Sequence, residues 1–182
     1  MNMKYNPKIH HRRSIRLPEY DYSQPGFYFV TICIYQRECL LGKIEDGMMK
    51  FSRYGQVVED NWFNLTKIYS HIALNIFVIM PNHFHGIIEI KEQDKKHDLA
   101  KIIRTFKTFS ARRINQIRSM KGIPVWQRGY YEHIIRDEGS LATIQQYIMD
   151  NPLKWETDEL YPSHDINQSV GAGFSTILES HQ

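Results

Sequence analysis

Val78-Ile79-Met80-Pro81-Asn82-His83-Phe84-His85-Gly86-Ile87-Ile88-Glu89-Ile90 sets two apolar runs on either side of a Pro-Asn turn signal. The pattern predicts adjacent antiparallel strands, one over about 71–80 and one carrying the histidines. Side chains alternate along a strand, so His83 and His85 share one face and Phe84 takes the other. Two neutral imidazoles side by side offer half a site for a divalent cation. His-x-His alone is equally compatible with two surface histidines in a chain that holds nine. The downstream sequence has to decide between them.

At 182 residues the chain predicts one domain, 26–162, between a basic arm, 1–25, and a polar tail, 163–182. No run approaches the roughly 18–20 apolar residues of a membrane-spanning helix. The start lacks the apolar stretch of a secretory signal. Cys33 and Cys39 are too few for a disulfide framework or a cysteine zinc site, so free thiols in a reducing cytoplasm are expected. The net charge of +3 is unevenly spread: residues 99–131 hold eight basic residues and no acid, and residues 1–20 hold five basic residues against Glu19. A solvated helix face normally mixes both signs, so the segregation points to a polyanion partner. Lys101, Arg104, Lys107, Arg112 and Arg118, with Arg12 and Arg13 in the arm, are the candidate phosphate contacts.

Residues 26–34 are aromatic and β-branched and predict a central strand. Residues 39–44 and 48–51 flank Asp46-Gly47 and predict a hairpin. Ser52 can cap a helix to about residue 68, with Tyr54, Val57, Val58, Trp62, Leu65 and Ile68 as its apolar stripe. A second helix, from about 99 to 118, sets Leu99, Ile102, Ile103, Phe106, Phe109 and Ile117 against the basic residues. Arg113 falls within that apolar arc, for which the pattern gives no reason. Gly122-Ile123-Pro124 breaks the chain, 130–135 predicts a short strand, and Ser140 opens a helix that ends by Pro152. This element order is a split βαβ repeat. The expected fold is α+β and ferredoxin-like: an antiparallel sheet with helices on one face, followed by a C-terminal helix.

On that last helix Leu141, Ile144 and Ile148 form the buried stripe, and Tyr147 sits at its edge. Asn151 follows one turn later on nearly the same face. A phenol and an amide oxygen therefore project together, although core packing for Tyr147 and helix termination for Asn151 would explain each residue singly.

Four stretches, in order, resemble one family: Gly26-Phe27-Tyr28-Phe29-Val30-Thr31, Met80-Pro81-Asn82-His83-Phe84-His85, Val125-Trp126-Gln127 through Glu132-His133-Ile134-Ile135-Arg136, and Tyr147-Ile148-Met149-Asp150-Asn151-Pro152. His83-Phe84-His85 looks like the motif of the HUH endonucleases. The combination is similar to the REP-associated tyrosine transposases, relatives of the single-tyrosine transposases that act on single-stranded DNA. The resemblance implies Tyr147 as nucleophile, His83, His85 and Asn151 as metal ligands, and Mg²⁺ or Mn²⁺ as cofactor. The implied activity is single-stranded DNA cleavage and strand transfer through a 5′-phosphotyrosine, with hairpin or palindromic repeat DNA as the expected partner. A homodimer and a monomer are both compatible with it. His133 is expected to serve as a structural hydrogen-bonding residue, with a further site residue as the alternative, and Tyr130 and Tyr131 to pack or stack on a base.

Two other readings remain. An RRM-like sheet would bind nucleic acid without catalysis by stacking bases on Phe27, Tyr28 and Phe29, although the RNP1 pattern is missing. A relaxase or replication initiator of the wider HUH group would share the chemistry and differ in substrate.

Overall fold

The computed structural model describes residues 20–162. Arg12 and Arg13, the rest of the arm up to residue 19, and the tail 163–182 lie outside the described residues. The elements in order are β1 (Gly26–Cys33), β2 (Gly42–Glu45), β3 (Met48–Phe51), α1 (Arg53–Ile68), β4 (Ile72–Ile79), β5 (His83–Ile90), α2 (Leu99–Ile117), β6 (Tyr131–Ile135) and α3 (Glu138–Asp150). The main sheet runs β4-β5-β1-β6 with every neighbouring pair antiparallel. This is the ferredoxin-like α+β arrangement that the element order implies. Among the described residues no helix is long and apolar enough to cross a membrane.

Strand alternation divides the molecule into two cores. Tyr28, Val30, Ile32, Phe84, Ile88 and Ile90 face α1 and α2 in the larger one, around the fully buried Trp62 and Phe106. Phe29, Ile87 and Ile135 face the other way, onto Ile144 and Ile148 of α3. The pairing of β4 with β5 slips between Leu74 and Phe77, a bulge that leaves both residues on the α1–α2 side. The helix carrying Tyr147 thus covers the sheet face that α1 and α2 leave open.

Local chemistry accounts for the element boundaries. Asp46 and Gly47 both adopt positive φ (53° and 70°), the two-residue turn that matches the twist of the β2–β3 hairpin. The Ser52 side chain accepts from the backbone N–H groups of Tyr54 and Gly55 and caps α1. Asp98 caps α2 in the same way, and Asp137 caps α3, three residues before the expected Ser140 start. Ser140 is instead the residue whose N–H and hydroxyl both bond to Asp137.

Several expected core positions are corrected. Ile68 and Phe109 are exposed, and Arg113 projects into solvent. The buried arc of α2 includes Ser110 and Ile114 instead. The cause is the segment after Gly122. Trp126 donates its indole N–H to Ser110 Oγ at 3.0 Å and packs on Phe106, covering one flank of α2 and leaving the Phe109–Arg113 flank open. The stacking platform of the RRM-like reading is also closed: Tyr28 is buried beneath α1 and α2, and Phe29 beneath α3.

Gly86 is where the histidine strand meets α1. A Cβ there would lie 2.8 Å from both Trp62 Cζ2 and Phe84 Cε1. Gly86→Ala is expected to lower unfolding stability by about 1–3 kcal/mol, because the rings have no free volume to move into. Urea denaturation followed by circular dichroism checks this; an unchanged midpoint would mean that the Trp62 packing is loose.

Candidate active site

His83 and His85 leave β5 on the α3 face, and both are fully buried. β1 lies alongside in register, pairing Thr31 with His85 and Cys33 with His83. Their ring centroids are 4.6 Å apart. The imidazole directions are set by the strand, but their protonation is set by neighbours.

Asn82 fixes His83. Its Nδ2 donates to the carbonyls of Leu160 (2.7 Å) and Arg37 (3.3 Å), so its Oδ1 must be the atom facing His83 Nδ1 at 2.8 Å. An oxygen accepts, hence Nδ1 carries the proton and Nε2 presents a bare lone pair to the interior. His85 Nδ1 lies 2.7 Å from Thr31 Oγ1, which can hold its Nδ1–H in the same sense. An outer partner on one ring nitrogen and a free lone pair on the other is the usual arrangement of a metal-binding histidine.

α3 supplies the second half of the site. The Tyr147 hydroxyl lies 3.3 Å from His85 Nε2, and its ring packs edge-on against both His85 and Phe29. Asn151, the residue capping α3, is 2% exposed. Among the described residues, three buried side-chain polar atoms have no hydrogen-bond partner, and two of them are His83 Nε2 and Asn151 Oδ1. Leaving such atoms unpaired costs about 1–3 kcal/mol each in a dry interior. A divalent cation would satisfy both, so the donor set fits the metal that the motif implies.

Asp158 is the residue that the sequence reading missed. Its Oδ2 lies 3.9 Å from His83 Nε2, and the candidate ligand atoms of His83, His85 and Asp158 fall within 4.8 Å of one another. It follows Pro152 in an irregular stretch without periodicity, 75 residues beyond His83, so no spacing rule could have joined them.

Burial controls the electrostatics. It holds the His83 pKa down to about 3, partly offset by the adjacent Asn151 amide, and holds His85 well below its ordinary value, with His83 adding to the effect. Both rings are therefore neutral at pH 7. Burial pushes the Tyr147 phenol up to about 12, and Asp158 adds to this, while the Asn151 amide acts in the opposite direction. The phenol is protonated at rest.

The remaining candidates fall elsewhere. Lys101, Arg104 and Arg112 lie exposed on α2, on the opposite side of the sheet from the histidines. Lys107 instead points inward, its ammonium bonding to the carbonyls of Gln127 (2.7 Å) and Gly129 (2.6 Å). Arg118 bonds to Asn115 Oδ1 and the Ile123 carbonyl. These two side chains anchor the loop after α2, so fewer charges are free for phosphate than the sequence implies. Tyr131 packs against Phe29, and His133 pairs in register with Phe29 on β6, outside the His83–His85–Asp158 cluster.

Residues 26–151 match the family described as transposase, IS200-like, and the chain belongs to that family. An uncharacterized protein of Haemophilus influenzae is 44% identical over 183 residues, spanning 88% of this chain and 99% of the relative. A second H. influenzae protein, which bears the provisional name REP-associated tyrosine transposase, is 29% identical over 143 residues and 74% of each chain. The solved structure of a REP-associated tyrosine transposase bound to a REP hairpin superposes with a TM-score of 0.58 at 18% identity, covering 85% of this chain and 95% of that one.

Neutral buried histidines have a measurable consequence in the metal-free protein. Between about pH 3 and 6.5 the folded imidazoles bind fewer protons than the unfolded ones. Their contribution is therefore present above pH 6.5 and lost as the pH falls through that window. The raised pKa of buried Asp158 works in the opposite sense, one group against two. Urea midpoints are expected to fall steadily from pH 6.5 to 4.5, and constant midpoints would contradict this electrostatic account.

Proposed function

We propose that this chain is a metal-dependent single-stranded DNA endonuclease and strand transferase that acts on hairpin-forming DNA through a 5′-phosphotyrosine at Tyr147. The observation that carries the reading is the meeting of the unpartnered His83 Nε2, an unpartnered amide oxygen, and a phenol facing His85 Nε2 in one recess. Hairpin DNA as the substrate is supported by the REP hairpin named for the structural relative.

A Mg²⁺ or Mn²⁺ held by His83, His85 and Asn151 would supply the Lewis acid that polarises the scissile phosphate and stabilises the departing 3′-oxygen. The rest of the work falls to side chains of the chain itself. Tyr147 Oη attacks phosphorus in line, a new O–P bond forms, and the P–O3′ bond breaks to release a 3′-hydroxyl. The phosphotyrosine keeps the phosphodiester bond energy, so a second 3′-hydroxyl can reverse the step on a different strand. Tyr147 must lose its proton as it attacks, and the Asn151 amide is the neighbour that favours the phenolate. Burial of both histidines keeps competing water from the recess. Held by its edge-on packing against Phe29 and His85 and by α3, the phenol needs little reorganisation to reach a phosphate beside His85.

The exposed charges of α2 lie on the other side of the sheet. DNA held there must pass round the sheet to reach Tyr147, which makes holding and cutting separable.

Incubating the protein with labelled single-stranded hairpins and Mn²⁺, followed by a denaturing gel, tests the proposal. Tyr147→Phe removes one oxygen from a partly buried ring and is expected to keep fold and DNA affinity while abolishing the covalent adduct. Tyr130→Phe and Tyr131→Phe are expected to retain it. An adduct that survives in Tyr147→Phe would assign the nucleophile elsewhere.

Replacing Lys101, Arg104 and Arg112 by Gln is expected to weaken hairpin binding and to flatten its salt dependence. Each lost phosphate contact removes about 0.7–0.9 from the slope of log affinity against log salt. Affinities measured between 50 and 200 mM salt (roughly the range over which counterion release is resolved) provide the check; an unchanged slope would make the α2 face a merely solvated one.

A further inference from the structure

We infer that Asp158 is a fourth protein ligand of the divalent cation, so that the segment after α3 completes and closes the catalytic centre. The inference rests on the reading of His83, His85 and Asn151 as a cation site and extends it to a residue beyond the family match, which ends at 151.

The geometry of acceptors is the argument. His83 Nε2 has no proton, because Asn82 holds the proton on Nδ1. Asp158 Oδ2 faces that lone pair at 3.9 Å, and its side chain is only 8% exposed. A carboxylate oxygen opposite a bare imidazole nitrogen, with the unpartnered Asn151 Oδ1 in the same recess, is repulsive unless something positive sits among them. Among the described residues, Arg37 acts on Asp158 from a distance, but no Lys or Arg nitrogen comes within 4.0 Å of it. A divalent cation meets the requirement, and a hard carboxylate suits Mg²⁺ or Mn²⁺.

The carboxylate is held as a ligand would be. Asp158 Oδ1 accepts the Leu160 backbone N–H at 2.6 Å, which leaves Oδ2 to turn toward the histidines. The Leu160 carbonyl in turn accepts from Asn82 Nδ2. One buried amide therefore orients His83 and ties down the loop that carries Asp158. Arg37 Nη1 adds a bond to the Glu159 carbonyl, and Trp155 packs beside His83 with centroids 6.0 Å apart. Glu159, by contrast, is exposed.

The test uses the full-length metal-free protein without DNA and titrates Mn²⁺, reading free Mn²⁺ by electron paramagnetic resonance. Asp158→Asn keeps an oxygen for the Leu160 N–H and removes the charge. It is expected to weaken Mn²⁺ binding at least tenfold, whereas Glu159→Gln stays within twofold and His83→Asn abolishes binding. A second readout is trypsin cleavage after the exposed Lys154. Mn²⁺ is expected to slow it in the natural protein and in Glu159→Gln, and to leave it unchanged in Asp158→Asn. If Asp158→Asn binds Mn²⁺ as the natural protein does while His83→Asn does not, Asp158 is no ligand and the cation site of the proposed function stands. If the natural protein and His83→Asn bind Mn²⁺ alike, the cation site and this extension of it fall together.

Discussion

The Asn82 amide is the constraint on which the rest of the site depends. It is fully buried, and each of its polar atoms has a fixed duty: the nitrogen to two carbonyls from distant loops, the oxygen to His83 Nδ1–H. Because both carbonyls can only accept, the amide cannot flip, and the histidine tautomer follows from bonds made outside the site. The turn bearing Asn82 is itself held from outside, since its carbonyl accepts the Ile34 N–H and the Pro81 carbonyl accepts the Leu41 N–H. A buried polar network of this kind stabilises only when complete, so the loops at 35–37 and 155–160 and the histidine strand are fixed together.

The sheet makes a chemical site affordable within an ordinary fold. Its period of two sends Phe84, Ile88 and Ile90 into the large core and keeps His83 and His85 on the opposite face, so the polar rings never compete with the apolar packing around Trp62. Gly86 lets the indole lie against the strand that carries the two histidines, and β1 pairs along one edge of the same strand. Rigid backbone beneath a cluster of side chains is what holds its geometry within a few tenths of an ångström. α3 then needs only Ile144 and Ile148 in the smaller core to present Tyr147 and Asn151 to that face. The basic surface of α2 grows from the other side of the sheet, one layer away from the histidine pair.

Much of this was legible in the residues themselves. Local periodicity determined the strands, the three helices and their order, because each apolar stripe is written within its own element. His83 and His85 were readable as a same-face pair, and Tyr147 with Asn151 as neighbours one turn apart, since strand and helix geometry convert spacing directly into direction. What the sequence could not decide was whatever depended on two distant segments meeting. Lys107 and Arg118 count as free positive charges in a composition, yet they fasten the loop after α2, because carbonyls at Gln127, Gly129 and Ile123 are brought within reach. Arg113 looked buried on a helical wheel, but Trp126 covers the other flank of α2. Only tertiary structure turned Asn82 from a turn residue into the group that sets the His83 proton. It also carried Asp158, from a stretch with no periodic signal, to 3.9 Å from a histidine 75 residues earlier. A pattern of residues fixes the direction of a side chain within its own element, whereas the partner it meets is decided by packing between elements.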